Sequence, residues 1–99
     1  MIARIWRGRT PAAKAQAYLK LMREVALPDY RATPGNVGAW CLHRIEGEVA
    51  HFEMLTFWTD LEAIKAFAGQ EAERAKYYAF DDAFLFEKPE RVDHFDVAD

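Results

Sequence analysis

The sequence predicts an α+β fold, a four-stranded antiparallel sheet with helices packed on one face. Three observations carry that prediction. The stretch "AHFEMLTFW" alternates apolar and polar residues like a strand, and directly after Asp60 the apolar residues recur at Leu61, Ile64 and Phe67, the spacing of a helix. Glu46-Gly47 is a two-residue turn signal between two strand-like runs. Ala15, Tyr18, Leu19, Met22, Val25 and Ala26 form one apolar helical stripe, with Lys14, Gln16, Lys20, Arg23 and Glu24 mostly opposite.

Taken in order, Met1 to Arg7 reads as strand one. Thr10-Pro11 reads as an N-cap followed by the first helical position, where the missing N–H of proline has no partner to lose. The helix runs to about Ala26, and Pro28 stops or kinks it. "PDYRATPGN" reads as a loop, with a turn at Pro34-Gly35-Asn36. Val37 to Ile45 and Glu48 to Trp58 are strands two and three. Thr59 or Asp60 caps the next helix, and with Thr59 as cap Glu62 would complete a capping box. Gly69 ends that helix. "QEAERAKYYA" reads as a short helical piece, "AFLFEK" as strand four, and "RVDHFDV" as a final strand or strand extension. The order β-α-β-β-α-β is the ferredoxin-like arrangement.

Ninety-nine residues make one domain, residues 1–99. About half of the residues are hydrophobic and 14% are aromatic, enough for a core in a chain this short. The formal charge of -3 is spread without a basic stripe, so nucleic acid is not an expected partner. No apolar run is long enough for a signal peptide or a membrane span, which predicts a cytoplasmic protein without membrane contact. The single cysteine, Cys41, has no partner for an internal disulfide and reads as a structural residue on a small apolar face.

A turn at Glu46-Gly47 pairs Ile45 with Glu48 and Ala39 with Met54, and so sorts the hairpin into two faces. One carries Ala39, Cys41, His43, Phe52 and Met54 and suits packing beneath helices. The other carries Trp40, Leu42, Leu55 and Phe57 beside Arg44, His51 and Glu53. A face so apolar predicts a covering partner, most simply an identical subunit. His43 and His51 fall on opposite faces, and there is no HxxxH, HxH or Cys/His cluster, so no metal site is expected. His51 and Glu53 share a face and could pair. No phosphate-cradling glycine motif or nucleotide fingerprint is present, and no cofactor is expected.

With "MIARIWRG", "TPGNVGAWCLHR" and above all "FEMLTFWTDLEAIKAF", the sequence resembles the antibiotic biosynthesis monooxygenase superfamily of dimeric α/β-barrel proteins over nearly its whole length. The resemblance implies a homodimer through the sheet faces and, in each subunit, a ligand cavity between sheet and helices. Carried over by position, the pocket would be lined by Tyr18, Met22, Phe52, Met54, Phe67 and Tyr77 or Tyr78, with His43, Tyr77 and Tyr78 as catalytic candidates. Arg4 would hold an anion should its side of the strand face inward. The implied activity is a cofactor-independent monooxygenation of a small phenol or hydroquinone. An isomerase or cyclase, or a non-catalytic dimeric small-molecule-binding module, are the alternatives on the same scaffold. The haem-degrading members carry an Asn on the first strand and a His after a Trp on the second helix. Here Phe67 stands on that helix and "ERAKYY" holds no histidine, so haem degradation is not expected.

Overall fold

The computed structural model describes residues 1–99. Strand β1 (Ile2–Pro11) leads through a 3-10 turn (Ala12–Lys14) into helix α1 (Ala15–Leu21). A π-helical stretch (Met22–Ala26) and helix α2 (Leu27–Ala32) continue it as one rod. Strands β2 (Asn36–Glu46) and β3 (Val49–Trp58) form the hairpin, and helix α3 (Leu61–Ala68) follows. A long strap then carries only a 3-10 turn (Ala79–Ala83) before strand β4 (Asp93–Asp96). The sheet order is β2-β3-β1-β4, and every pairing is antiparallel. This is the ferredoxin-like order expected from the sequence.

Strand β3 alternates buried and half-buried residues along its whole length, because it pairs on both edges and its even-numbered residues face the helices. Ala50, Phe52, Met54, Thr56 and Trp58 make that inner face. Arg4, Trp6 and Thr10 of β1 continue it, and the core closes with Tyr18, Met22, Ala26, Tyr30, Ile64 and Phe67 from the helices.

Several local expectations are corrected. Thr10 and Pro11 belong to β1, opposite Ala50 and Val49, and do not start a helix. The long partner strand extends the ladder, and Ala12 N–H still donates to Glu48 O at 2.8 Å. Pro28 does not end the helical rod. A proline inside a helix removes one hydrogen bond and clashes with the carbonyl four residues back. Here the turn before it widens, with Leu27 N–H reaching back to Met22 O, and Pro28 then falls in the first turn of α2. The hairpin turn is Gly47-Glu48, since Glu46 pairs with Val49 and Ala39 with Thr56. Gly47 takes the first central position at φ 62, the place where a hairpin demands a left-handed residue. This shifts the register by two residues, an even number, so the two faces keep their membership.

Asp60, not Thr59, caps α3, its Oδ1 accepting from Ala63 N–H at 2.9 Å. Glu62 therefore completes no capping box and pairs with Lys65 instead. Residues 70–78 are not helical, and Ala79 only begins the 3-10 turn. Ala75 N–H donates to Glu90 O and Val92 N–H to Glu73 O, so this short stretch pairs with the returning chain, which outcompetes a helix too short to stand alone. "AFLFEK" forms no strand. Its one backbone bond to β1 is Phe86 N–H to Arg9 O, beside the Arg9–Glu87 ion pair, before Pro89 interrupts the edge, and the fourth strand is Asp93–Asp96. His51 approaches Glu46 at 3.4 Å while Glu53 pairs with Arg7 at 3.2 Å, so His51 and Glu53 do not pair with each other. No helix is long and apolar enough to cross a membrane.

Candidate functional site

Between sheet, rod and strap lies one small cavity. The sheet supplies Trp6 and Met54, the rod supplies Tyr18, Met22, Ala26 and Tyr30, and the strap supplies Lys76, Tyr78 and Asp81. It measures about 10 Å³, roughly the space of one water. The rings around it interlock. Tyr18 meets Phe52 edge-on at 5.0 Å, and Tyr30 stacks on Phe67 at 4.4 Å.

Two carboxyl groups organise the polar side. Asp29 Oδ2 accepts from Tyr78 Oη at 2.7 Å and from Lys76 Nζ at 2.9 Å. Asp81 accepts from Tyr18 Oη at Oδ1 and from the backbone N–H of Tyr78 at Oδ2, both at 2.7 Å. The strap is thus pinned to the rod on either side of Tyr78. Burial pushes the Tyr78 and Tyr18 phenols far up, and the hydrogen bonds to Asp29 and Asp81 add to the effect. Tyr30 is pushed up to about 12 by burial, with Arg4 pulling the other way. Burial works against ionisation of Asp29, but hydrogen bonds from Tyr78 and Lys76 outweigh it and hold the carboxyl below its ordinary range.

Beneath the strap, Arg4 is 0% exposed. Its Nη2 donates to Arg74 O at 2.9 Å, while Nε and Nη1 have no partner. Burial depresses its pKa, with Tyr30 acting in the opposite sense. Its guanidinium lies 5.7 Å from the centre of the Phe67 ring, and Lys76 Nζ lies 4.2 Å from the same centre.

Of the residues singled out from sequence, Tyr18, Met22, Met54 and Tyr78 line the cavity. Phe52 and Phe67 form a second layer behind Tyr18 and Tyr30. Tyr77 turns its hydroxyl outward to Pro89 O and presents only its ring edge to Trp6. His43 is exposed on β2, stacked over Phe52, and is not brought to the cavity. Cys41 is only partly buried, and its desolvation pushes the thiol up to about 11.

Trp6, Asp29, Tyr30, Lys76 and Asp81 were not singled out. Reading Pro28 as a helix end hid Tyr30, although Tyr18, Met22, Ala26 and Tyr30 repeat every four residues on one stripe. Asp81 gave no such signal, because the strap has no period to read.

No family model and no curated protein matches the chain. A solved structure of MhuD, a point mutant crystallised with two manganese protoporphyrin IX molecules bound per active site, is similar in fold. The match has a TM-score of 0.60 at 21% sequence identity and covers 98% of this chain and 94% of that one. The likeness carries the fold, and that fold is the one implied by the resemblance to the antibiotic biosynthesis monooxygenases.

Proposed function

We propose that the protein is a dimeric small-molecule enzyme, a cofactor-independent monooxygenase of a small phenol or hydroquinone, with the cavity under the strap as its site. The observation that supports this reading best is the Tyr78–Asp29–Lys76 cluster in an aromatic wall. It sets a carboxylate against a phenolic hydroxyl, with an ammonium keeping the carboxylate ionised. A substrate phenol taking the place of the Tyr78 hydroxyl meets the same carboxylate, which accepts its proton. Lys76 and, deeper in, Arg4 favour the resulting phenolate, and the aromatic walls shield the substrate ring while Asp29 stays open to water at its outer side. The electron-rich ring then reduces oxygen. A hydrogen-bearing ring carbon, para to the hydroxyl in a simple phenol and ortho to it in a hydroquinone, gains one oxygen atom as a carbonyl. The O–H and C–H hydrogens leave in one water with the second oxygen atom, so phenol plus O₂ gives quinone plus water.

Tyr78 and the pocket residues Tyr18, Met22 and Met54 are the proposed site, and neither His43 nor Tyr77 is given a role. The porphyrin of the MhuD structure does not fit these residues. None of the three histidines lines the cavity, and a macrocycle would have to displace the buried ring of Tyr18 or Tyr30 as well as the strap. The dimer is supported by the outer sheet face, where Trp40, Leu42 and Phe95 stay 52%, 46% and 54% exposed.

Oxygen-electrode traces with a panel of phenols and hydroquinones test the reading. Uptake above the spontaneous rate, reduced about a hundredfold in Asp29→Asn, is the expected result. Uptake at the spontaneous rate across the panel would overturn it, and saturable binding without uptake would favour a binding module.

A further inference from the structure

In the whole chain four buried side-chain nitrogens lack a hydrogen-bond partner: Arg4 Nε and Nη1, Trp6 Nε1 and His94 Nε2. All four belong to one patch of the sheet. Arg4 and His94 stand directly opposite each other on β1 and β4, and Trp6 is the next residue of β1 on the same face. The patch lies beneath the strap, fastened there by the single bond from Arg4 to Arg74 O. Buried polar groups are ordinarily satisfied, and a buried guanidinium ordinarily meets a carboxylate. Arg4 meets none, since Asp29 is engaged by Lys76 and Tyr78 and Asp81 by Tyr18 and Tyr78. Unspent N–H groups of Arg4 and Trp6 and a positive charge without a carboxylate are thus gathered in one place, with the Tyr30 hydroxyl as the side-chain acceptor nearest to Arg4.

What such a patch binds must bring acceptor oxygens and a negative charge. The walls next to it are the rings of Phe67, Tyr30 and Trp6, which call for a flat apolar body. We infer that Arg4 is the recognition group for an aromatic carboxylate, whose carboxylate meets Arg4 while its ring takes the space that opens between Trp6, Tyr30 and Tyr78 when the strap lifts from the one-water cavity. A carboxylate is preferred to a phenolate here because it is already ionised at neutral pH and offers two oxygens to separated donors. His94 supplies a further neutral nitrogen, its proton disfavoured by burial and by the charge of Arg4. Entry exchanges the Arg4 bond to Arg74 O for the ligand and lifts the strap locally, at the cost of its bonds to Asp29 or Tyr18 on the rod. This rests on reading the cavity as the ligand site but not on oxygen chemistry.

The test reads binding to the full chain by calorimetry, using benzoate and 4-hydroxybenzoate against benzamide and 4-hydroxybenzamide at matched ionic strength. The acids should bind saturably and about tenfold or more tighter than their amides. Arg4→Met should erase that preference while unfolding at or above the wild-type temperature, because it removes an unpaired buried charge. Arg4→Lys, which keeps the charge, should retain part of the preference. Amides that bind as well as acids, or acids that fail to bind at millimolar concentration, would overturn the inference without recourse to any variant. So would an Arg4→Met protein that is less stable yet binds acids as the wild type does, since Arg4 would then be only a tie for the strap. Oxygen uptake on neutral hydroquinones without acid binding would sink this inference alone, and acid binding without uptake would sink the oxygenase reading alone.

Discussion

Tyr18 donates its phenolic hydrogen to Asp81 Oδ1 at 2.7 Å, joining the helical rod to the strap across 63 residues of sequence. Both groups are buried, Asp81 at 1% exposure, so neither can turn to water if the other is lost. The bond does two things at once. It fixes the Tyr18 ring edge-on against Phe52, and it places the strap so that Tyr78 and Lys76 reach Asp29.

Tyr18→Phe keeps the ring and removes this bond. Asp81 retains only the backbone N–H of Tyr78. A hydrogen bond to a charged group is worth about 1.5–3 kcal/mol, and equilibrium urea unfolding should show a loss of about 2 kcal/mol. A loss below about 0.5 kcal/mol would mean that the strap is held by its other contacts.

Asp29 gives the fold an acid-sensitive fastening. Its carboxyl titrates below the ordinary value of 3.8 because Tyr78 and Lys76 favour the ionised form more than burial opposes it. A carboxyl lowered by folding contributes stability that is complete above its unfolded pKa and is lost as pH falls through the folded value. Melting temperature should therefore decline more steeply below about pH 4 in the wild type than in Asp29→Asn. Parallel declines of the two proteins between pH 5 and pH 2 would remove Asp29 from this role.

The extent to which the sequence is legible follows the reach of its signals. Strand β3 and helix α3 could be read because each has a period and each has a face toward the core, as Phe52, Met54, Ile64 and Phe67 show. The hairpin faces survive a turn misplaced by one residue, because that shifts the register by two and parity decides the face. Pro28 misleads because a proline is normally a helix end, and a π turn that absorbs it leaves no local mark. The strap is the part that local signals cannot supply. Its conformation depends on Asp29, Arg4 and Arg9, residues 45 or more positions away, as the bonds at Lys76, Arg74 and Phe86 record. The candidate site lies where sheet, rod and strap meet, and four of the nine residues lining its cavity, Tyr18, Met22, Met54 and Tyr78, were legible, while the others come together only in three dimensions.

Cys41 should be chemically quiet. Desolvation raises its pKa from 9.0 to about 11, with Arg23 pulling weakly the other way. That change lowers the thiolate fraction at neutral pH by about a hundredfold relative to an ordinary thiol, and the thiolate is the reacting species. Native protein treated with a disulfide reagent at pH 7.5 should react about a hundredfold more slowly than the urea-unfolded chain. Comparable rates in the two states would contradict this.

The outer face of the sheet carries the last prediction. Trp40, Leu55 and Ile5 form one row across β2, β3 and β1, with Leu55 at its centre, and Trp40 meets Phe57 edge-on at 5.9 Å. Trp40, Leu42 and Phe95 are large apolar side chains left about half exposed. Covering one such side chain is worth roughly 1.5–3 kcal/mol, and a second copy would cover the whole row on both partners. The charges at the rim, Arg7 with Glu53 and Asp93 and Arg9 with Glu87, already pair within the chain, so they would not be left bare beside the contact. Leu55→Asp places a carboxylate at the centre of that row. On the monomer it faces water and should change stability little. In the dimer it would be buried without a partner, at a cost of several kcal/mol, and the equilibrium should move to monomer. Sedimentation equilibrium at micromolar concentration should give twice the chain mass of 11.4 kDa for the wild type and the chain mass itself for Leu55→Asp. A wild type that sediments as a monomer would leave the face uncovered by its own copy, and a variant that stays dimeric would place the contact elsewhere on the molecule.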